Sequence, residues 1–134
     1  MVELTELTIL KIRDFERALV ALQESLASPH DDRAIVRDSS LLRFGLTYEL
    51  ATKALRLVLF DRFGIDEAGP KTIYREARRV SLLDERQTET ALNMVDNRNR
   101  MIHDYSEEFS NELFARIEKE YAQLFVSLQE CLHG

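Results

Sequence analysis

Ile12, Phe15, Leu19, Leu22 and Leu26 recur at steps of 3, 4, 3 and 4 residues. That is the narrow apolar seam of a helix packed antiparallel against a neighbour. The pattern predicts a first helix over residues 4–26, closed by the polar stretch Ala27-Ser28-Pro29-His30-Asp31-Asp32 with Pro29 as breaker. A longer helix is predicted over residues 34–63. Leu41, Phe44, Tyr48, Ala51, Leu55 and Val58 mark one stripe on it, and Leu42, Leu46, Leu57 and Phe60 mark another. A helix apolar on so much of its surface is expected at the centre of the fold. Gly64 stops it, and Gly69-Pro70 opens a short third helix with Pro at its first position. Residues 81–84 form a joint, where Asp84 and Gln87 resemble a capping box for a fourth helix reaching about Ile102. Ser106, followed by Glu107 and Glu108, suits the start of a last helix. Its core face is Phe109, Leu113, Ile117, Tyr121, Leu124 and Leu128. The alternation that strands require is absent. The expected fold is all-α, an up-and-down antiparallel bundle of about five helices, four long and one short.

Composition agrees with this picture. The 134 residues match one domain, 45% apolar and 31% charged, and four Gly and two Pro leave few breaks. No linker or repeat divides the chain, so a single domain over residues 1–134 is expected. The net charge of −6 argues against a protein that coats nucleic acid non-specifically. Arg75, Arg78 and Arg79 read as a solvated face in an acidic protein. Cys131 has no internal disulfide partner and reads as a small apolar residue of the last helix. No signal pattern or membrane-spanning run is evident, so the cytoplasm is the expected address and no membrane association is expected.

The apolar pattern fails in two places. On the fourth helix the pairs Ala91/Leu92, Met94/Val95 and Met101/Ile102 are interrupted by Arg98/Asn99, where the stripe should continue. Polar groups in such a slot are unfavourable unless hydrogen-bonded. His103 follows Asn99 by one turn on nearly the same face. Arg98 and His103 diverge by about 140° on a straight helix, so they converge only if the helix ends near His103 or if two subunits share the site. On the second helix Glu49 and Lys53 replace apolar residues in the face traced by Leu42, Leu46, Leu57 and Phe60. Their order suits an intrahelical ion pair, a structural bridge on a half-exposed face. Alternatively the pair lines the same cleft as Arg98, Asn99 and His103. A guanidinium can hold phosphate through two hydrogen bonds, and a histidine can move a proton near neutral pH. There is no Gly-rich phosphate loop, no nucleophile motif and no metal-ligand spacing among His30, His103, His133 and Cys131, so neither cofactor nor metal is expected.

At these residues the sequence resembles the HEPN superfamily, whose hallmark is Arg, four to six residues, then His. Arg98-Asn99-Arg100-Met101-Ile102-His103 fits the four-residue form. Within it the chain is most similar to the nucleotidyltransferase substrate-binding proteins. That likeness runs from Arg43-Phe44-Gly45-Leu46-Thr47-Tyr48-Glu49-Leu50-Ala51-Thr52-Lys53-Ala54-Leu55 through the block from Pro70 to Ala77 and on to His103-Asp104-Tyr105-Ser106-Glu107. It spans roughly residues 10–130. Gly45 departs from it, since the family more often has a larger or acidic residue there; no contact with a motif residue is expected of it.

The resemblance implies a dimeric five-helix bundle that forms a complex with a small nucleotidyltransferase. It implies a polar site of Arg98, Asn99, His103 and Tyr105, with Glu49 and Lys53 as neighbours from the second helix. Two functions follow. In the first, the chain is a non-catalytic binding subunit that presents a nucleotide or the acceptor substrate to its partner. In the second, it is a metal-independent endoribonuclease toxin paired with a nucleotidyltransferase antitoxin. Arg98 and His103 would then be catalytic at the RNA, and Tyr105 holds the position that the partner adenylylates in some such toxins. The first is favoured. A purely structural role for the cluster, as a dimer-interface device, is a third reading.

Overall fold

A computed structural model describes residues 3–133 of the chain, and no strand occurs among them. Four of the helices begin where a side chain accepts an orphan backbone N–H. Thr5 caps α1 (Glu6–Leu26), its hydroxyl accepting from the Thr8 N–H at 3.2 Å. Asp32 caps α2 (Arg33–Phe63), accepting from the Ala34 N–H at 3.0 Å. Gly64 ends α2 at φ 66°, the left-handed geometry that costs glycine nothing. Pro70 is the first residue of α3 (Pro70–Arg79). The Asp84–Gln87 capping box closes in both directions, at 2.7 and 2.9 Å, to start α4 (Glu85–Met101). Ser106 caps α5 (Glu107–Arg116), which continues without a break through a π-helical turn, Ile117–Tyr121, into α6 (Ala122–His133).

The π-helical turn has a cause in the apolar spacing. Phe109, Leu113, Ile117 and Tyr121 are spaced by three successive fours, and all are buried. Each step of four overshoots a 3.6-residue turn by about 40°, so over the three steps a regular helix would carry Tyr121 about 120° away from Phe109. One wide turn takes up most of that drift. Phe44 of α2 stacks on Tyr121 with ring centroids 5.7 Å apart and meets Phe125 at 6.0 Å, while Phe15 of α1 meets Phe125 edge-on at 6.0 Å. This aromatic group joins α1, α2 and the last rod, and each such pair adds about 0.5–1.5 kcal/mol beyond the area it buries.

The predicted inner stripe of α2 is core: Phe44, Tyr48, Ala51, Leu55 and Val58 are buried, with Leu41 half-buried. The second stripe is not. Leu42, Leu46 and Phe60 are 75, 58 and 55% exposed, so α2 is packed on one side and bare on the other. The fourth helix also stops at Met101, one residue earlier than expected, and residues 102–106 form a tight connection.

Candidate functional site

Arg98 projects from α4 across the exposed side of α2. Its guanidinium lies over Gly45: a Cβ at that position would stand 3.6–3.7 Å from Nε, Cζ and Nη2. The expectation that Gly45 touches no motif residue is therefore corrected, because the missing side chain is the seat of Arg98. From that seat Nη2 approaches the Glu49 carboxylate at 3.6 Å, while the buried Nε–H has no partner. Glu49 thus pairs between helices with Arg98 rather than with Lys53 along α2. With Glu49 largely in water, that pair contributes little, about 0–1 kcal/mol.

One turn from Gly45, the Tyr48 hydroxyl is also buried without a partner. Burial, and secondarily the neighbouring Glu49 carboxylate, push its pKa up to about 12, so at neutral pH it is a proton donor. Behind it, the Thr52 and Tyr74 hydroxyls are satisfied by each other at 2.8 Å. Buried polar groups in native interiors are nearly always paired. Arg98 and Tyr48 are the exceptions, each keeping a covered donor unpaired.

These groups line a cleft of about 510 Å³ between α1, α2, α3 and α4. Glu49, Lys53, Arg98 and Asn99 are gathered there, with Lys11 and Arg56 beside them and Leu50, Pro70, Ile73 and Ile102 as apolar wall. Asp96 is turned to Lys71 at 2.7 Å, which ties α4 to α3.

His103 and Tyr105 do not line this cleft. Because α4 ends at Met101, His103 lies in the turn beyond it, exposed, with its backbone N–H on the Arg100 carbonyl at 3.0 Å. Tyr105 is 85% exposed. The connection that carries them is braced from its other side. Arg100 pairs with Asp104 at 3.0 Å and lies 4.2 Å over the Phe109 ring. Ser106, through its hydroxyl and its backbone N–H, holds the Asp104 carboxyl below the usual carboxylate range.

Sequence reasoning missed Lys11, Arg56 and the Tyr48 hydroxyl. Arg56 follows Glu49 by seven residues, two full turns, and that spacing was a usable signal. Lys11 reaches the cleft only through the packing of α1 on α2, and Tyr48 reads as core because its ring is core.

The sequence profile described as nucleotidyltransferase substrate binding protein like matches residues 10–134. No protein of curated function matches. Among solved structures, a protein from Thermus thermophilus is 33% identical, over 90% of this chain and 99% of its own, with a TM-score of 0.82. A tri-AMPylated Shewanella oneidensis HEPN toxin, in complex with an MNT antitoxin, is 14% identical over 97% of this chain and 98% of its own, TM-score 0.78. A toxin–antitoxin structure with AMP-PNP gives 13% identity over 98% and 99%, TM-score 0.78. The last two likenesses are of fold.

Proposed function

Because the chain belongs to the nucleotidyltransferase substrate binding protein-like family, we propose that it is the non-catalytic partner subunit of a small nucleotidyltransferase, holding nucleotide or acceptor substrate in the Arg98 cleft. The observation that carries this reading is the cleft that gathers Arg98, Asn99, Glu49 and Lys53, two of whose lining residues, Arg98 and Tyr48, keep a buried donor unpaired. Arg98 offers a phosphate the Nη end of its guanidinium, where Nη2 now meets Glu49, with charge-assisted hydrogen bonds. A phosphate would displace Glu49, whose weak pairing makes the exchange inexpensive. Asn99 hydrogen-bonds the base or sugar, and Lys53 adds charge at the rim. His103 and Tyr105, outside the cleft in one copy, contact the ligand only from a neighbouring subunit.

The bare side of α2 supports a homodimer through Leu42 and Leu46, exposed one turn apart, with Phe60 exposed about 20 Å further along the helix. No described helix is long and apolar enough to cross a membrane, and a cytoplasmic address is part of the proposal. The test is nucleotide titration of the purified complex beside the partner alone. Tighter binding by the complex, lost with Arg98→Ala, is expected; equal binding refutes the reading.

The endoribonuclease reading has one observation in its favour. Tyr105 is 85% exposed on a braced connection, open to a modifying partner, and a toxin of the same fold is tri-AMPylated. In that reading His103 acts as general acid or base at the ribose 2′-hydroxyl and Arg98 stabilises the phosphorane. Mass spectrometry after incubation with partner and ATP decides the Tyr105 step, and an unmodified Tyr105 counts against it.

A further inference from the structure

The cleft is far more basic than the chain around it. Lys11, Lys53, Arg56 and Arg98 line it against the single carboxylate of Glu49, a surplus of three positive charges in a chain of net charge −6. Only two of the four cations are engaged. Arg98 meets Glu49 at 3.6 Å, and Lys11 meets Asp14 at 3.5 Å. Lys53 and Arg56, exposed on adjacent turns of α2, have no ion-pair or hydrogen-bond partner among the described residues. Holding like charges at one rim is unfavourable without an anion. Arg13, Arg17, Arg75, Arg78, Arg86 and Lys119 also have no side-chain partner among the described residues, so what sets Lys53 and Arg56 apart is that they share one cleft with Lys11 and Arg98.

We infer that Lys53 and Arg56 form a second anion subsite, and that the cleft takes a ligand carrying a chain of phosphates rather than a single one. This deepens the binding-subunit reading and rests on it for the Arg98 end. One phosphate lies at the Nη end of the Arg98 guanidinium. The next phosphates lie along α2 over Lys53 and Arg56, with Lys11 closing from α1. The apolar wall of Leu50, Pro70 and Ile73 is left for the uncharged part of the ligand. A cleft of about 510 Å³ suits a small molecule of nucleotide size. A nucleoside polyphosphate meets every one of these demands.

The experiment is equilibrium titration of the full chain, in EDTA and at fixed ionic strength, with adenosine, AMP, ATP and inorganic tripolyphosphate. ATP should bind at least about tenfold more tightly than AMP, as expected for two added charge-assisted contacts at a half-exposed site. Tripolyphosphate should compete with ATP, and added salt should erode the difference. The double variant Lys53→Ala/Arg56→Ala should abolish the preference for ATP over AMP, so that the two bind the variant equally. Both positions are exposed, and a matching far-ultraviolet spectrum and Tm establish that the variant is folded. If AMP binds in an Arg98-dependent way but ATP binds no better, the second subsite is refuted and the binding reading survives. If ATP and tripolyphosphate bind through Lys53 and Arg56 while Arg98→Ala changes nothing, the subsite stands and the Arg98 reading falls. If nothing binds, both fall. A single-stranded RNA that displaces ATP where tripolyphosphate does not also overturns the inference, because the phosphates would then belong to a strand.

Discussion

Gly45→Ala is the perturbation whose outcome the geometry fixes most closely. Glycine within a helix is less stable than alanine by about 0.5–1 kcal/mol, because the unfolded chain loses more freedom on folding. Gly45 lies inside α2, far from either end, so this gain is available if the new methyl fits. It does: the added Cβ meets Arg98 Nε at 3.6 Å and Cζ and Nη2 at 3.7 Å, ordinary van der Waals distances. Gly45→Ala should therefore raise stability by about 0.5–1 kcal/mol, a Tm increase of about 2–6 °C for a chain of this size. It should leave Arg98 in place. Gly45→Leu keeps the helical preference, but its outer carbons occupy the volume of the guanidinium. It should match Arg98→Ala in ligand binding while remaining folded. The assays are thermal unfolding and nucleotide titration of the two variants in parallel. A destabilised Gly45→Ala, or a Gly45→Leu that binds as well as the parent, refutes the seating of Arg98 on α2.

Other outcomes follow from the same geometry. Tyr48→Phe removes a buried hydroxyl that has no partner, so the free protein should gain up to about 1 kcal/mol in urea unfolding, while ligand affinity falls. Equal affinity would remove Tyr48 from the site. The Tyr48 phenol, raised by burial to about 12 in the folded chain, contributes stability that is fully present below its ordinary pKa of about 10 and is lost as pH rises toward 12. Unfolding free energy should therefore fall over that window, and Tyr48→Phe should flatten the fall. Asp104 has the opposite sign: its lowered pKa makes the bracing of residues 102–106 fail as pH falls, and protease cleavage at Tyr105 should accelerate on acidification. Asn97→Leu leaves the Tyr121 hydroxyl, now bonded at 2.5 Å, unsatisfied beside the π-helical turn and should destabilise by about 1–3 kcal/mol.

What the sequence made legible was local. Asp84, Ser106, Gly64 and Pro70 each have a short-range mechanism, and those helix boundaries followed from them within a residue or two, whereas the caps Thr5 and Asp32 went unread. The inner stripes of α1, α2 and the last rod were readable because one helical period sorts buried from exposed. Partners across helices were not. Glu49 and Lys53 have the spacing of an ion pair, but Arg98 reaches Glu49 from α4 over Gly45, a contact no helical period encodes. The same applies to Lys11. α2 is central, packed against α1, α3, α5 and α6, but its second stripe is exposed, because apolarity alone does not distinguish a buried face from one presented to a second molecule. α4 ends close to His103, yet the ring does not join Arg98: His103 is exposed in the turn after Met101 and does not line the cleft.

The central claim, a binding subunit without catalysis of its own, is tested most directly by incubating the purified chain with a mixed RNA substrate in EDTA, beside Arg98→Ala and His103→Ala. No cleavage by any of the three is the expected result. Cleavage by the parent and by neither variant would contradict it, and would make Arg98 and His103 the catalytic pair of a metal-independent ribonuclease.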